Sequence, residues 1–214
     1  MAKKVTEGVV MKALDWAYKN AVEGMKGVDS AKTLAVGYLA TEGSVRDKVN
    51  RLIRWQNTKA GTTGFITGLG GIITMPVSIP ANIAVVLFVQ VRMIAAIAHM
   101  SGQDISDDRV KTLVYACLAG DAAREILRDM GIVVGTKLTT SLISKISGKT
   151  LTAINQRVGF RLLTKFGEKG VINIGKAVPF VGGFIGGTVD AVSTNIIGNV
   201  ARDTFVPLPS ASKA

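Results

Sequence analysis

Six cations recur at intervals of four along one stretch of the chain: Lys145, Lys149, Arg157, Arg161, Lys165 and Lys169, with Ala153 the only uncharged rung. On a helix such a ladder drifts by about 40° per step against the 3.6-residue period, so over a few turns it forms one cationic face. Leu151, Ile154, Val158, Leu162 and Leu163 supply apolar contacts elsewhere on the same segment. A basic amphipathic helix suits an anionic membrane surface, where each Lys or Arg held close contributes roughly 1 kcal/mol. Nucleic acid attracts the same charge. No aromatic residue interleaves for base stacking and no recognition-helix motif stands out, which places nucleic acid well behind. A solvated basic face with no ligand is the competing structural reading.

The remaining reactive side chains are sparse. His99 is the only histidine and Cys117 the only thiol, so neither a two-histidine nor a multi-cysteine metal site can form. A Cys117–His99 nucleophilic pair is formally possible, but Cys117 falls on an apolar helical face, where inert core cysteines are common. Gly148-Lys149-Thr150 resembles the end of a phosphate-binding loop, yet Ile143 stands where its first glycine belongs and no strand precedes it. Gly68-Leu69-Gly70-Gly71 fails the dinucleotide fingerprint in spacing and context. The expectation is therefore no catalytic residue, no metal and no cofactor.

The elements that carry these residues follow from composition and periodicity. The chain has 214 residues, 26 Lys+Arg against 15 Asp+Glu and a net charge of +11, yet 48% of it is hydrophobic. That excludes intrinsic disorder and leaves ample material for one core, expected over residues 1–205 with a flexible tail at 206–214. One cysteine points to a reducing compartment. After Lys3 and Lys4 no charge-free apolar stretch follows, since Glu7, Lys12 and Asp15 interrupt it, so no secretory signal is visible and the expected location is the cytoplasm, at the inner face of the membrane.

Helical spacing dominates. Val10, Leu14, Ala17, Ala21 and Met25 recur by threes and fours, with Gly27 able to end that helix and Asp29 or Ser30 able to cap the next. Ser44 and Asp47 form a capping signature before Val45, Val49, Leu52 and Ile53. Ser106 can cap a helix bearing Val110, Leu113, Val114 and Cys117, and Asp121 another bearing Ile126 and Leu127. No strand-type alternation is visible. The predicted fold is all-α, a single compact domain of about seven to nine helices with Gly/Pro-interrupted apolar central helices.

Charge and apolarity are separated along the chain. Residues 60–91 carry no charge and 177–189 none, while 130–167 hold no acid. The first apolar run exceeds the roughly 20 residues that span a bilayer, but its glycines, Pro76 and Pro80 predict two shorter helices joined by a bend, the second beginning near Pro80 and running to His99. Gly64 and Gly68, Gly182 and Gly186, and Gly183 and Gly187 are spaced by four, which allows close helix approach either inside a soluble core or in a membrane hairpin. Arg92 and Asp190 interrupt the two apolar runs. They either pair with each other or reach water separately.

Several of these stretches together resemble the EcsC protein family. The resemblance rests on Leu52-Ile53-Arg54-Trp55-Gln56, on Gly64-Phe65-Ile66-Thr67-Gly68-Leu69-Gly70-Gly71, on Pro76 to Pro80, and on Gln90-Val91-Arg92-Met93-Ile94. It continues through Pro179-Phe180-Val181-Gly182-Gly183, Gly186-Gly187, Asp190, Thr194, Gly198 and Phe205. It spans about residues 10–205 in matching order. The resemblance implies a helical, bacterial, membrane-associated protein and brings no established catalytic residues. Members often carry an acid before the position of Pro80, where this chain has Ile79.

These readings converge on a non-enzymatic protein held on anionic membrane by the basic ladder, with the Gly-rich apolar segments packed as a core able to insert shallowly. An interaction module for a membrane protein such as a transporter, or one acting in envelope stress or phage defence by perturbing membranes, is the first alternative. An enzyme acting on lipids through groups near His99, Arg92 or Asp190 is the second.

Overall fold

The computed structural model describes residues 6–60, 81–134, 138, 140–166 and 184–207, with the backbone alone at 59–60, 81–83, 166 and 184–191. The helices among them are α1 (Glu7–Glu23), α2 (Ala31–Leu39), α3 (Val45–Ala60), α4 (Ala81–Met100), α5 (Asp108–Cys117), α6 (Ala122–Asp129), α7 (Thr140–Ser144), α8 (Gly148–Phe166) and α9 (Phe184–Phe205). No strand occurs among the described residues; Met25 and Val28 make one isolated bridge. The all-α expectation is met.

The helix starts show how local chemistry sets the boundaries. Ser30 accepts from the Thr33 amide and opens α2. At α3 the capping box is reciprocal: the Asp47 amide donates to Ser44 Oγ at 3.2 Å, and the Ser44 amide donates to Asp47 Oδ2 at 3.1 Å. Two boundaries differ from expectation. Helix α1 stops at Glu23, where the Gly24 amide closes on the Asn20 carbonyl, so Met25 and Gly27 lie in the turn beyond it. Helix α5 is capped by Asp107, whose Oδ1 accepts from the Arg109 amide at 2.7 Å, because Ser106 is already engaged by Asp104.

Helix α4 is the centre of the molecule. Its charge-free part from Ala84 to Val91 is buried almost throughout, and the helix lies against α1, α2, α3, α5 and α9. An element apolar all round must be enclosed on every side, and the described part of the first apolar segment is accordingly internal packing. No helix among the described residues is long and apolar enough to cross a membrane. The stretch 61–80, with Gly64, Gly68, Pro76 and Pro80, lies outside the described residues.

Helix α9 closes one side by lying along α3 and α4. The contact between α3 and α9 is very close at Gly198, where a Cβ would stand 2.9 Å from Ile53 Cγ1. Beside it α8 packs on α1, α5 and α6, burying Ile154, Val158 and Leu162. Val206 is buried with the core, and residues 208–214 of the expected tail lie outside the described residues.

Candidate functional site

Because Ile154, Val158 and Leu162 turn inward, the four-residue ladder is forced to wind over the outer surface of α8. Lys145, just before α8, and Lys149, Arg157, Arg161 and Lys165 on it are all exposed. Lys169 and the second charge-free segment up to Gly183 lie outside the described residues. The drift of the ladder divides its members. Lys149 and Arg157 stand on the solvent face, while Arg161 and Lys165 have rotated towards α9 and line a groove there.

The rungs are not equal electrostatically. Arg157 Nη1 is 2.6 Å from Asp129 Oδ2, so part of its charge is answered from α6. Lys165 Nζ donates to Ser193 Oγ on α9 at 2.9 Å. Among the described residues, Lys145, Lys149 and Arg161 make no ion pair.

An aromatic residue does interleave the basic face. Phe160 lies between Arg157 and Arg161 and is 64% exposed, a large apolar side chain projecting from the cationic surface. Periodicity alone could not assign it, since a helical phenylalanine faces in or out according to which neighbouring helix covers it. Beside Lys145, Val133 and Leu142 are also more than half or nearly half exposed, and they line a second depression of about 530 Å³ with Lys145.

The first groove, about 640 Å³, lies between α8, α9 and the corner joining α5 to α6. Gly120 makes that corner with φ +62, a left-handed conformation costly for any residue with a Cβ, and it faces Ile196 across the groove. Both α8 and α9 lean on α5, and the space left between them has an apolar floor.

A second charge cluster was not anticipated. Asp203 near the end of α9 receives Arg46 at 2.9 Å, Arg124 at 3.0 Å and Arg202 at 3.0 Å. Arg202 Nη1 also donates to Asn50 and Asn199, which ties α9 to α3. The sequence signal was weak: the three arginines lie on three different helices.

Of the reactive groups singled out by type, the thiol lies in the core. Cys117 is fully buried, hydrogen-bonded to Thr204 Oγ1, and burial pushes its thiol up to about 12, far from the low values of reactive thiolates. No group of three or more His, Cys, Asp or Glu that could hold a metal occurs among the described residues.

Residues 9–206 match the EcsC protein family. The chain belongs to that family. No curated protein and no solved structure matches it. In this EcsC chain the motif residues divide between surface and core. Arg54 and Trp55 are exposed on α3, while Gln56 beside them is buried. Gln90, also buried, donates to Thr194 on α9 at 3.3 Å. Arg92 is largely buried; burial lowers its pKa, and the carboxylate that opposes this is Asp29. Gly186, Gly187 and Asp190 lie on α9, but the side chain of Asp190, and with it the Arg92–Asp190 pair, falls outside the described residues. So do Gly64, Phe65, Gly68, Gly70, Gly71, Pro76, Ile79, Pro80, Pro179, Gly182 and Gly183.

Proposed function

We propose that this EcsC-family chain is a non-enzymatic protein that docks on the cytoplasmic face of an anionic membrane through α8 and the segment before it. The observation that carries the reading is Phe160, an exposed aromatic set among Lys149, Arg157 and Arg161. Interfacial binding combines attraction of cations to acidic headgroups with burial of an apolar side chain at the acyl boundary, and this face offers both. With the described part of the first apolar run internal, attachment falls to surface side chains rather than to a spanning helix.

Co-sedimentation with vesicles tests it. The chain should pellet with vesicles rich in anionic lipid at low salt, and release at high salt as screening shortens the reach of the charges. Phe160→Ala should weaken pelleting by about tenfold, and Lys149→Glu by about thirtyfold, since one Lys held near the surface contributes about 1 kcal/mol and its reversal doubles the loss. Arg157→Ala should weaken it less than Lys149→Ala, because Asp129 already answers Arg157. No pelleting with anionic vesicles at low salt would sink the proposal. Recovery of one stoichiometric membrane protein by a chain that ignores vesicles would replace it with docking on that partner.

A further inference from the structure

We propose that Asp129 is an internal competitor of the membrane, holding Arg157 in water and yielding it to an acidic lipid headgroup on docking. This role depends on the membrane-docking reading and regulates the same surface, because it sets how much anionic lipid the chain requires. Asp129 is the last acid before the stretch 130–167, which holds none. The fold brings to α8 a carboxylate that the helix itself lacks: Asp129 Oδ2, on α6, accepts from Arg157 Nη1 at 2.6 Å.

The carboxylate is poorly placed for α6 alone. Asp129 is the final residue of that helix, where the negative end of the helix dipole opposes an acid and favours a cation such as the neighbouring Arg128. Its contact with Arg157 is also open to exchange. The Arg157 and Asp129 side chains are 47% and 39% exposed, and ion pairs this wet contribute little to folding. A headgroup phosphate offers the guanidinium the same anionic oxygens and can accept two N–H bonds side by side. Phe160 stands three residues along α8 from Arg157 and so lies beside it on the helix surface. Seating Phe160 at the acyl boundary therefore brings Arg157 to the headgroups. It brings Asp129 there too, and the negative surface repels that carboxylate. The ion pair and the membrane thus oppose each other, and by linkage whatever strengthens one weakens the other.

The test compares four whole chains: wild type, Asp129→Asn, Arg157→Ala and the double variant. Each is titrated at low salt with vesicles of phosphatidylglycerol in phosphatidylcholine. Asp129→Asn should raise vesicle affinity about tenfold, about threefold from freeing Arg157 and about threefold from removing the repulsion. With Arg157→Ala already in place the gain should shrink to about threefold, because only the repulsion is left to remove. Glu125→Gln deletes the same charge one turn earlier on the exposed side of α6, and should give about threefold or less in both backgrounds. Asp129→Ser should match Asp129→Asn, and circular dichroism checks that every variant folds. Equal gains from Asp129→Asn with and without Arg157, or a gain no larger than that of Glu125→Gln, would overturn the proposal. A lower unfolding midpoint for Asp129→Asn with no gain in affinity would also overturn it, leaving the pair as a tether between α6 and α8. If the wild-type chain ignores these vesicles, the docking reading falls and this role with it. If it pellets but the gains are equal, docking stands and the role of Asp129 alone is removed.

Discussion

Asp203 is shared by Arg46, Arg124 and Arg202, with two of the three guanidiniums about four-fifths buried. The carboxylate is the only acid that these contacts give the cluster, so its removal would leave three cations crowded together with their main acceptor gone. Removing one partner of a well-buried pair is strongly destabilising, and partial exposure here reduces the effect. Asp203→Ala should lower unfolding free energy by about 2 kcal/mol, measured by urea titration, and added salt should recover part of it by screening the repulsion. A loss indistinguishable from zero would mean that solvent already answers these charges. Phe160 is the residue-scale feature that spacing did not yield. It lies outside the inward stripe of Ile154, Val158 and Leu162, but only the absence of a covering helix makes it a surface group.

At the scale of elements, two glycines sit at close helix contacts and should respond with opposite sign. At Gly198 a Cβ would press on the branched Cγ1 and Cγ2 atoms of buried Ile53, at 2.9 and 3.0 Å. The helices must separate to admit it, and Gly198→Ala should cost about 1–3 kcal/mol. At Gly159 the obstructing atoms are the far end of Glu7, at 2.8 to 3.3 Å, which can swing away. Gly159→Ala then keeps the helix-propensity gain of about 1 kcal/mol and should leave stability unchanged or raised. Thermal melts of both variants check the pair. Element boundaries were legible where the signal is local. Ser44 with Asp47 and the helix beginning after Pro80 both stand as read. Boundaries failed where a neighbour intervened: Asp104 takes the Ser106 hydroxyl, so Asp107 becomes the cap. The groove between α8 and α9 was not legible, because it depends on which helices share α5 as a support.

Across the whole molecule, two tyrosines join α1 to α5 and to the loop before it. Tyr18 donates to the Ile105 carbonyl at 2.7 Å and Tyr115 to Asp15 at 3.0 Å, with their rings edge to face. Burial raises both phenols above their ordinary value, and nearby aspartates raise them further. The folded state therefore binds these protons more tightly than the unfolded chain does. Stability from this source is fully present below about pH 10, the unfolded-state value, and is lost as pH rises towards the folded values. Urea midpoints should fall as pH rises above about pH 10, and Tyr18→Phe should show a shallower fall. Buried Cys117, raised in the same direction, adds to the effect. The all-helical class and the central place of α4 were legible from the charge-free run and its period, since both depend on composition along one segment.

The covering of α3 and α4 by α9 has a consequence for biosynthesis. The helix that seals the interior is encoded more than a hundred residues after the one it shields. While the ribosome is still working through the segment between them, the residues of α4 around Gln90, which reaches Thr194 on α9, have no lid on that side. The nascent chain must hold them in a partly finished bundle until Phe205 and Val206 arrive, so its period of vulnerability to aggregation and to chaperone capture is set by translation speed. Slowing synthesis ahead of α9 would prolong that exposure without altering a single contact in the finished protein.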